Sequence, residues 1–169
     1  SLWFGVLTIP LLCVIARRLL ANRTAALIAA CLAMLSPLYI WYSQETRMYT
    51  LITFLGLLSS YALLRALERK KLGGIEQKWW GVFVIANIAA IYTHYFAFAI
   101  IAFQLLYAFY SIITQSATRN PFYALRFTFY LALIFAAFLP WLPFVIARFG
   151  QDSSYWRGGL KLYEALRHI

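Results

Sequence analysis

The sequence predicts an all-α fold, a multi-pass integral membrane helical bundle of about six transmembrane helices. Of its 169 residues, 64% are hydrophobic and 12% are charged, and the mean hydropathy is +0.75. Several apolar runs approach the ~20 residues that a helix needs to cross a bilayer. They are too long and too uniformly apolar for the strands of a membrane barrel, which alternate in polarity over ~10 residues. The composition therefore excludes a soluble domain and disfavours a barrel.

Basic clusters, prolines and polar residues separate the predicted spans. Asn22 or Thr24 is the expected N-cap of the second span, because either side chain can accept a hydrogen bond from a first-turn amide. Ser36-Pro37 is expected to bend or end that span, since proline disfavours a helical residue before it. Trp79-Trp80 is expected to lie at the membrane interface before the fourth span. The six spans cover 2–16, 24–39, 48–67, 81–92, 96–113 and 123–145.

The division of the chain follows from these spans. Residues 1–146 are expected to form the helical bundle, as a fragment of a larger membrane domain, and 147–169 an outward loop with a short amphipathic helix. The chain opens without Met inside a short apolar run, so we expect it to be an internal piece of a longer protein. Asn87, Gln104 and Ser111 lie inside the spans and are expected to hydrogen-bond between helices.

The basic residues predict an orientation, because Lys and Arg accumulate in the cytoplasmic loops of membrane proteins. The net charge of +10 has this explanation and does not indicate nucleic-acid binding. The segments around Trp41–Tyr49, Thr93–Tyr95 and Gln151–Gly159 are therefore predicted to face outward. On the predicted cytoplasmic side lie Arg17, Arg18, Arg23, Arg65, Arg69, Lys70, Lys71, Lys78, Arg119 and Arg126, and on the other side Arg47, Arg148, Arg157, Lys161 and Arg167.

The stretch 36–49 places a carboxylate and a guanidinium between two apolar runs. Ionisable groups at membrane depth are costly and are functional candidates. If the stretch is helical, Tyr42, Glu45 and Tyr49 share one face. Arg47 then lies on a neighbouring face and does not pair with Glu45. Ordinary headgroup-level charges, solvated or paired, are the alternative interpretation.

The chemistry of these groups suggests a ligand. The fixed donor fork of Arg47 suits a phosphate, which it can bind bidentately. Glu45 could orient a sugar hydroxyl, pair with an arginine from elsewhere, or ligate a divalent cation such as Mg²⁺ or Mn²⁺. His94 lies alone in a turn, where a hydrogen-bonded interface residue is the simpler interpretation, and Tyr95 is expected in an interfacial aromatic belt. The tail loop holds Tyr155, Trp156 and Arg157, as a solvated loop or as a lid over substrate.

Four runs, in order, resemble segments of bacterial GT-C membrane glycosyltransferases, which are relatives of the protein O-mannosyltransferases and of the lipid A aminoarabinose transferase. The runs are SPLYIWYSQETRMY at 36–49, YTHYF at 92–96, LPWLPF at 139–144 and SYW at 154–156. The resemblance implies transfer of a sugar from a polyprenyl-phosphate donor to a lipid, glycan or protein acceptor on the outer face of a bacterial inner membrane. It also implies a catalytic base or metal-binding acid in an outer loop before Ser1, so no catalytic residue is assigned and this piece alone is expected to be inactive.

The donor-binding candidates follow from the residues and the resemblance together. Arg47 is expected to neutralise the donor phosphate with His94 as a nearby donor, and Glu45 to orient the sugar. The primary candidates are Tyr42, Glu45, Arg47, Tyr49, His94 and Tyr95, and the secondary candidates are Tyr155, Trp156 and Arg157. Two rival functions remain: a transporter or flippase of lipid-linked substrates, and a non-catalytic membrane assembly protein. Membrane lipids are expected partners in each case.

Overall fold

The computed structural model of the protein describes residues 1–45, 47–67, 75–114 and 121–151. Every regular element in these ranges is a helix, which confirms the all-α prediction. The α-helices are α1 (Leu2–Leu20), α2 (Arg23–Leu35), α3 (Pro37–Gln44), α4 (Tyr49–Leu67), α5 (Ile75–Thr93), α6 (Ala97–Thr114), α7 (Pro121–Phe138) and α8 (Leu142–Gln151), with a 3-10 turn over Leu139–Trp141 between the last two.

The first two helices begin and end as local chemistry requires. Helix α1 includes Arg17 and Arg18 in its last turn, where cations interact favourably with the helix dipole. It stops at Ala21, which adopts the left-handed conformation at φ 50° and ψ 22°. The Asn22 side chain then accepts hydrogen bonds from the amides of Thr24, at 2.8 Å, and Ala25, at 3.2 Å. Asn22 is therefore the N-cap of α2, as one of the two predicted alternatives.

The Ser36-Pro37 break occurs where it was predicted. Ser36 leaves the helical region at φ −68° and ψ 116°, and Pro37 starts α3 at its first position, where its missing N–H costs nothing. The Ser36 hydroxyl oxygen accepts a hydrogen bond from the Tyr39 amide at 3.3 Å. The helix axis bends by 58° between α2 and α3.

Consecutive helices alternate in direction between two ends of the bundle. The Ser1 hydroxyl donates to the Ser43 carbonyl at 3.1 Å, so the start of α1 lies beside the end of α3. At the same end the ring of Tyr49, which begins α4, approaches the ring of His94 in the α5–α6 turn. We call this the Glu45 end. Ala137, near the end of α7, also lies at the Glu45 end, because its carbonyl accepts a hydrogen bond from the Tyr92 hydroxyl at 2.7 Å.

The opposite end holds most of the described cations, and we call it the Arg18 end. Arg18 lies 5.5 Å from the centre of the Tyr61 ring, and Arg65 lies 5.3 Å from that of Trp79. Trp80 was predicted at the interface with Trp79, but its side chain is fully buried and stacks on Tyr130 at 5.1 Å. The Trp80 ring packs from α5 against α7. Its burial was not predicted because hydropathy alone does not distinguish a core-facing side chain from a lipid-facing one.

The described residues include three helices that are long and apolar enough to cross a membrane, over 2–20, 49–67 and 124–147, or four if the bent α2–α3 pair forms one span. This is fewer than the six predicted, and it agrees with a helical membrane protein. Helix α6 contributes a shorter apolar helix, over 97–111, which is not counted among these spans. The last helical segment continues past 146 to Gln151, beyond the predicted end of the bundle. The remaining tail, 152–169, with Tyr155, Trp156 and Arg157, lies outside the described residues.

Candidate functional site

The connection between α3 and α4 is not helical, which corrects the prediction of one continuous helical face from Trp41 to Tyr49. Helix α3 ends at Gln44, Glu45 is extended at φ −66° and ψ 139°, and α4 begins only at Tyr49. The change of direction brings together side chains that a straight helix would separate. The three-and-four spacing of Tyr42, Glu45 and Tyr49 therefore does not define the site.

The turn allows Glu45 and Arg47 to form a pair, whereas the helical premise predicted that they would not. Arg47 Nε lies 4.0 Å from Glu45 Oε2, and the two side chains are 66% and 32% exposed, respectively. At this distance the pair is an ion pair without a hydrogen bond, and exposed ion pairs of this kind add little to stability. The Oε2 atom itself is buried and accepts no hydrogen bond from the described residues. The pair is therefore available to a ligand that can use both charges.

Arg47 is also held by Tyr49. A hydrogen bond from the guanidinium to the Tyr49 hydroxyl, followed by the attraction of the Glu45 carboxylate, raises the pKa of Arg47 above its ordinary value. A cation whose pKa is raised in the folded state keeps its favourable interactions at every pH below its unfolded pKa, and loses them only as the pH rises through the folded value. Arg47 is therefore a permanent positive charge at neutral pH.

Tyr49 connects this pair to the other candidates. Its ring contacts that of Tyr42 edge-on, with 4.9 Å between the centres, and lies 6.4 Å from the His94 ring. The Tyr95 ring lies 4.2 Å from His94 and is 68% exposed. The fold thus brings all six primary candidates into one chain of contacts, across α3, α4 and the α5–α6 turn.

His94 has a structural role that also determines its tautomer. Its Nδ1 accepts a hydrogen bond from the Phe96 amide at 3.2 Å, at the start of α6. An accepting Nδ1 requires that the proton of the neutral ring be on Nε2. The interface role predicted for His94 is present, and the same bond leaves Nε2–H as the donor that a ligand could use.

A frame of hydrogen bonds that was not predicted from the sequence holds the connection in place. Besides the Ser1–Ser43 bond, the Thr50 hydroxyl donates to the Ser1 carbonyl at 3.1 Å. The Tyr39 hydroxyl donates to the Gly5 carbonyl at 2.8 Å. A Cβ at Gly5 would lie 3.0 Å from Ser43 Cβ, so glycine allows α1 to approach α3 closely. In the sequence, these hydrogen bonds are indicated by the hydroxyl side chains within the apolar runs, but their partners depend on the tertiary fold.

A divalent cation at this cluster would meet the Glu45 carboxylate beside the positive charge of Arg47. Mg²⁺ and Mn²⁺ prefer several oxygen ligands. No group of three or more His, Cys, Asp or Glu that could hold a metal ion occurs among the described residues, and the positive charge of Arg47 lies beside Glu45. A cation at Glu45 would displace Arg47 from its partner.

No protein-family model matches the chain, and neither a similar characterised protein nor a similar solved structure was found.

Proposed function

We propose that the chain belongs to a membrane glycosyltransferase that takes a sugar from a polyprenyl-phosphate donor and passes it to a lipid, glycan or protein acceptor. The observation that favours this function is the cluster of Glu45, Arg47 and His94, contributed by two separate connections at one end of a membrane bundle. Such a cluster provides a cation, a neutral donor and a carboxylate within one site. These groups match the two parts of the donor, which are a phosphate and a sugar.

Arg47 and His94 serve the phosphate. In the transfer, the acceptor oxygen forms a bond to the anomeric carbon while the bond to the phosphate oxygen breaks and its electron pair leaves with the phosphate. Positive charge and preoriented donors stabilise this growing negative charge. The guanidinium of Arg47, fixed by Tyr49, supplies the charge, and His94 Nε2–H supplies a neutral donor.

Glu45 serves the sugar. Its buried Oε2 accepts no hydrogen bond in the described residues. A buried carboxylate oxygen without a donor costs free energy, and a sugar hydroxyl would provide the missing donor. Tyr42 and Tyr95 offer exposed ring surfaces at the same end of the bundle. The residue that deprotonates the acceptor is not among these groups, and we assign no catalytic base.

We place this protein in a bacterial inner membrane, with the Glu45 end outside. The described cations support that orientation, since six lie at the Arg18 end, whereas the sequence assigns Arg47 and Arg148 to the other; the six are Arg17, Arg18, Arg23, Arg65, Lys78 and Arg126. The alternating directions of α1, the α2–α3 pair, α4, α5, α6 and α7 are consistent with six passes through the bilayer. A transporter is less well supported, because the charged residues of the described helices lie near their ends and do not line a path across the bundle.

A turnover assay tests the proposal. A radiolabelled polyprenyl-phosphate-linked sugar is supplied to membranes that contain the natural protein, and the label transferred to the acceptor is counted. We expect Arg47→Ala to lower turnover at least tenfold, because a charge-assisted hydrogen bond contributes ~1.5–3 kcal/mol. Glu45→Gln, which keeps shape and removes charge, should also lower it. Unchanged turnover in Arg47→Ala, at equal protein level and with Arg17→Ala as the matched control, would refute the phosphate role.

A further inference from the structure

A second binding surface lies away from the cluster around Arg47. Between α1, α4 and α6 the bundle leaves an apolar groove of about 540 Å³, and none of the six primary candidate residues lines it. Leu19 and Phe103 on its walls are 57% and 74% exposed. Its lining includes Ile15 and Leu19 from α1, Gly56 and Ser60 from α4, and Phe103 and Gln104 from α6.

The polar atoms at the floor of this groove are already paired within the protein. Gln104 Nε2 donates to Ser59 Oγ at 2.7 Å and to Ser60 Oγ at 3.1 Å, and its Oε1 accepts from Asn87 at 3.1 Å. The two serine hydroxyls donate to the Gly56 carbonyl. Since these groups need no ligand, the groove presents an essentially apolar surface. Its occupant should therefore be a hydrocarbon chain.

The length of the groove matches one leaflet of a bilayer. Along α4 it extends from Thr53 to Leu64. At a rise of 1.5 Å per residue this distance is about 16 Å. The hydrocarbon core of a bilayer is ~30 Å thick, so one leaflet contributes about half of that thickness. A single acyl chain that enters from one interface can therefore run the length of the groove.

The charge at one end selects the kind of lipid. Leu19 and Leu64 are next in sequence to Arg18 and Arg65, and Arg18 lies over Tyr61, which follows Ser60 of the groove. The segments 17–23, 65–78 and 119–126, which the sequence assigns to this end, contain ten Lys or Arg and two Glu. Basic sites between transmembrane helices at such an interface bind anionic lipid headgroups.

We propose that this groove binds one acyl chain of an anionic phospholipid from the leaflet at the Arg18 end, with the lipid phosphate within reach of the Arg18 guanidinium. The rigid part of the site is the α4–α6 contact. A Cβ at Gly56 would lie 2.7 Å from Ile100 Cδ1, so the two helices are close together along the groove floor. The lipid site is at the opposite end from Arg47 and does not depend on the glycosyltransferase proposal.

Photolabelling of the intact protein in phosphatidylcholine vesicles tests this site. The vesicles contain a small fraction of phosphatidylglycerol, or in parallel of phosphatidylcholine, with a diazirine in the acyl chain, and labelled peptides are mapped by mass spectrometry. We expect the phosphatidylglycerol probe to label the peptides of Leu19 and Phe103 several-fold more than the phosphatidylcholine probe. Arg18→Gln should reduce that labelling about fivefold, as expected for one cation near the surface.

Matched variants make the result decisive. Arg17→Gln removes the same charge one residue earlier on an exposed side chain, and should leave labelling within twofold. Leu57→Trp fills the groove and should abolish labelling by both probes, whereas Leu133→Trp on α7 should not. If Arg18→Gln does not fold, Arg18→Lys is the second variant. It keeps the positive charge, so we expect it to be labelled as strongly as Arg17→Gln. Equal labelling by both headgroups, equal effects of the two arginine variants, or labelling spread evenly over α7 would overturn the proposal.

Discussion

Tyr49 is the residue on which the candidate site depends most. Its hydroxyl contributes most to raising the pKa of Arg47, and its ring contacts those of Tyr42 and His94. Its own position is fixed because it begins α4, one residue before Thr50 bonds to Ser1. Tyr49, one of the six primary candidates predicted from the sequence, therefore connects Arg47 to the aromatic rings of the site.

Tyr49→Phe should weaken binding of polyprenyl phosphate several-fold. The substitution removes the acceptor for the Arg47 guanidinium and keeps the ring contacts, so only the orientation of the cation is lost. A neutral hydrogen bond contributes ~1 kcal/mol, and a bond to a charged group contributes more. The measurement is the affinity for polyprenyl phosphate of the purified protein, with Tyr42→Phe as the control. Equal affinities for all three proteins would show that Tyr49 does not position Arg47.

His94 combines two roles that substitution can separate. His94→Ala should lower the free energy of unfolding by ~1 kcal/mol, because the Phe96 amide loses its acceptor, as at a helix N-cap. His94→Asn should restore that stability, since asparagine also accepts at such positions, but it should not restore phosphate affinity. Unfolding in mixed micelles and ligand titration measure the two effects. If His94→Asn binds polyprenyl phosphate as tightly as the natural protein, Nε2–H has no role in binding.

At the scale of elements, one informative contact is that of α4 with α6, where Gly56 faces Ile100. Small residues allow close approach, and the buried amides of Asn87 and Gln104 connect α4, α5 and α6. Such interhelical bonds contribute ~0.6 kcal/mol on average within membranes. The predicted interhelical roles of Asn87 and Gln104 are confirmed. Steric fit therefore adds to polar bonding in holding these helices together.

Gly56→Ala should be less stable than the same change at an open helical position, because the gain in helix propensity is offset by the need to move Ile100. The added Cβ would lie 2.7 Å from Ile100 Cδ1, so Ile100 or the helix must move. Gly81→Ala on α5 is the matched control, because nothing lies within 4 Å of its Cβ, and we expect it to be at least as stable as the natural protein. Equal unfolding free energies for the two variants would contradict the close α4–α6 packing.

The elements show what the sequence can predict and where it fails. The Asn22 cap and the Ser36-Pro37 break are local, so their side chains alone predicted them. The break between α3 and α4 at Glu45 contains no glycine or proline that would predict it. Its position is explained by the hydrogen bonds of Ser1 to Ser43 and of Thr50 to Ser1. The burial of Trp80 also depends on a partner, Tyr130, that is distant in sequence. The candidate residues could therefore be named from the sequence, but their geometry could not be predicted from it.

The whole molecule has two chemically distinct ends. One combines Glu45 and Arg47 with exposed aromatic rings, and the other is rich in basic residues. Single-cysteine variants, made after replacement of Cys13 and Cys31 by serine, test this arrangement with a membrane-impermeant thiol reagent. Tyr95→Cys should react from outside intact cells, and Lys78→Cys only after the membrane is opened. The reverse pattern would place the Arg47 site in the cytoplasm and exclude transfer on the outer face.

The most direct test of the phosphate site is the affinity of the purified protein for polyprenyl phosphate in phosphatidylcholine nanodiscs. Arg47→Gln should weaken binding tenfold or more, because a charge-assisted contact is lost. Arg17→Gln, with the same change in net charge at the opposite end, should leave the affinity unchanged. Equal affinities for Arg47→Gln and the natural protein, or equal losses in both variants, would contradict a phosphate site at the Glu45 end.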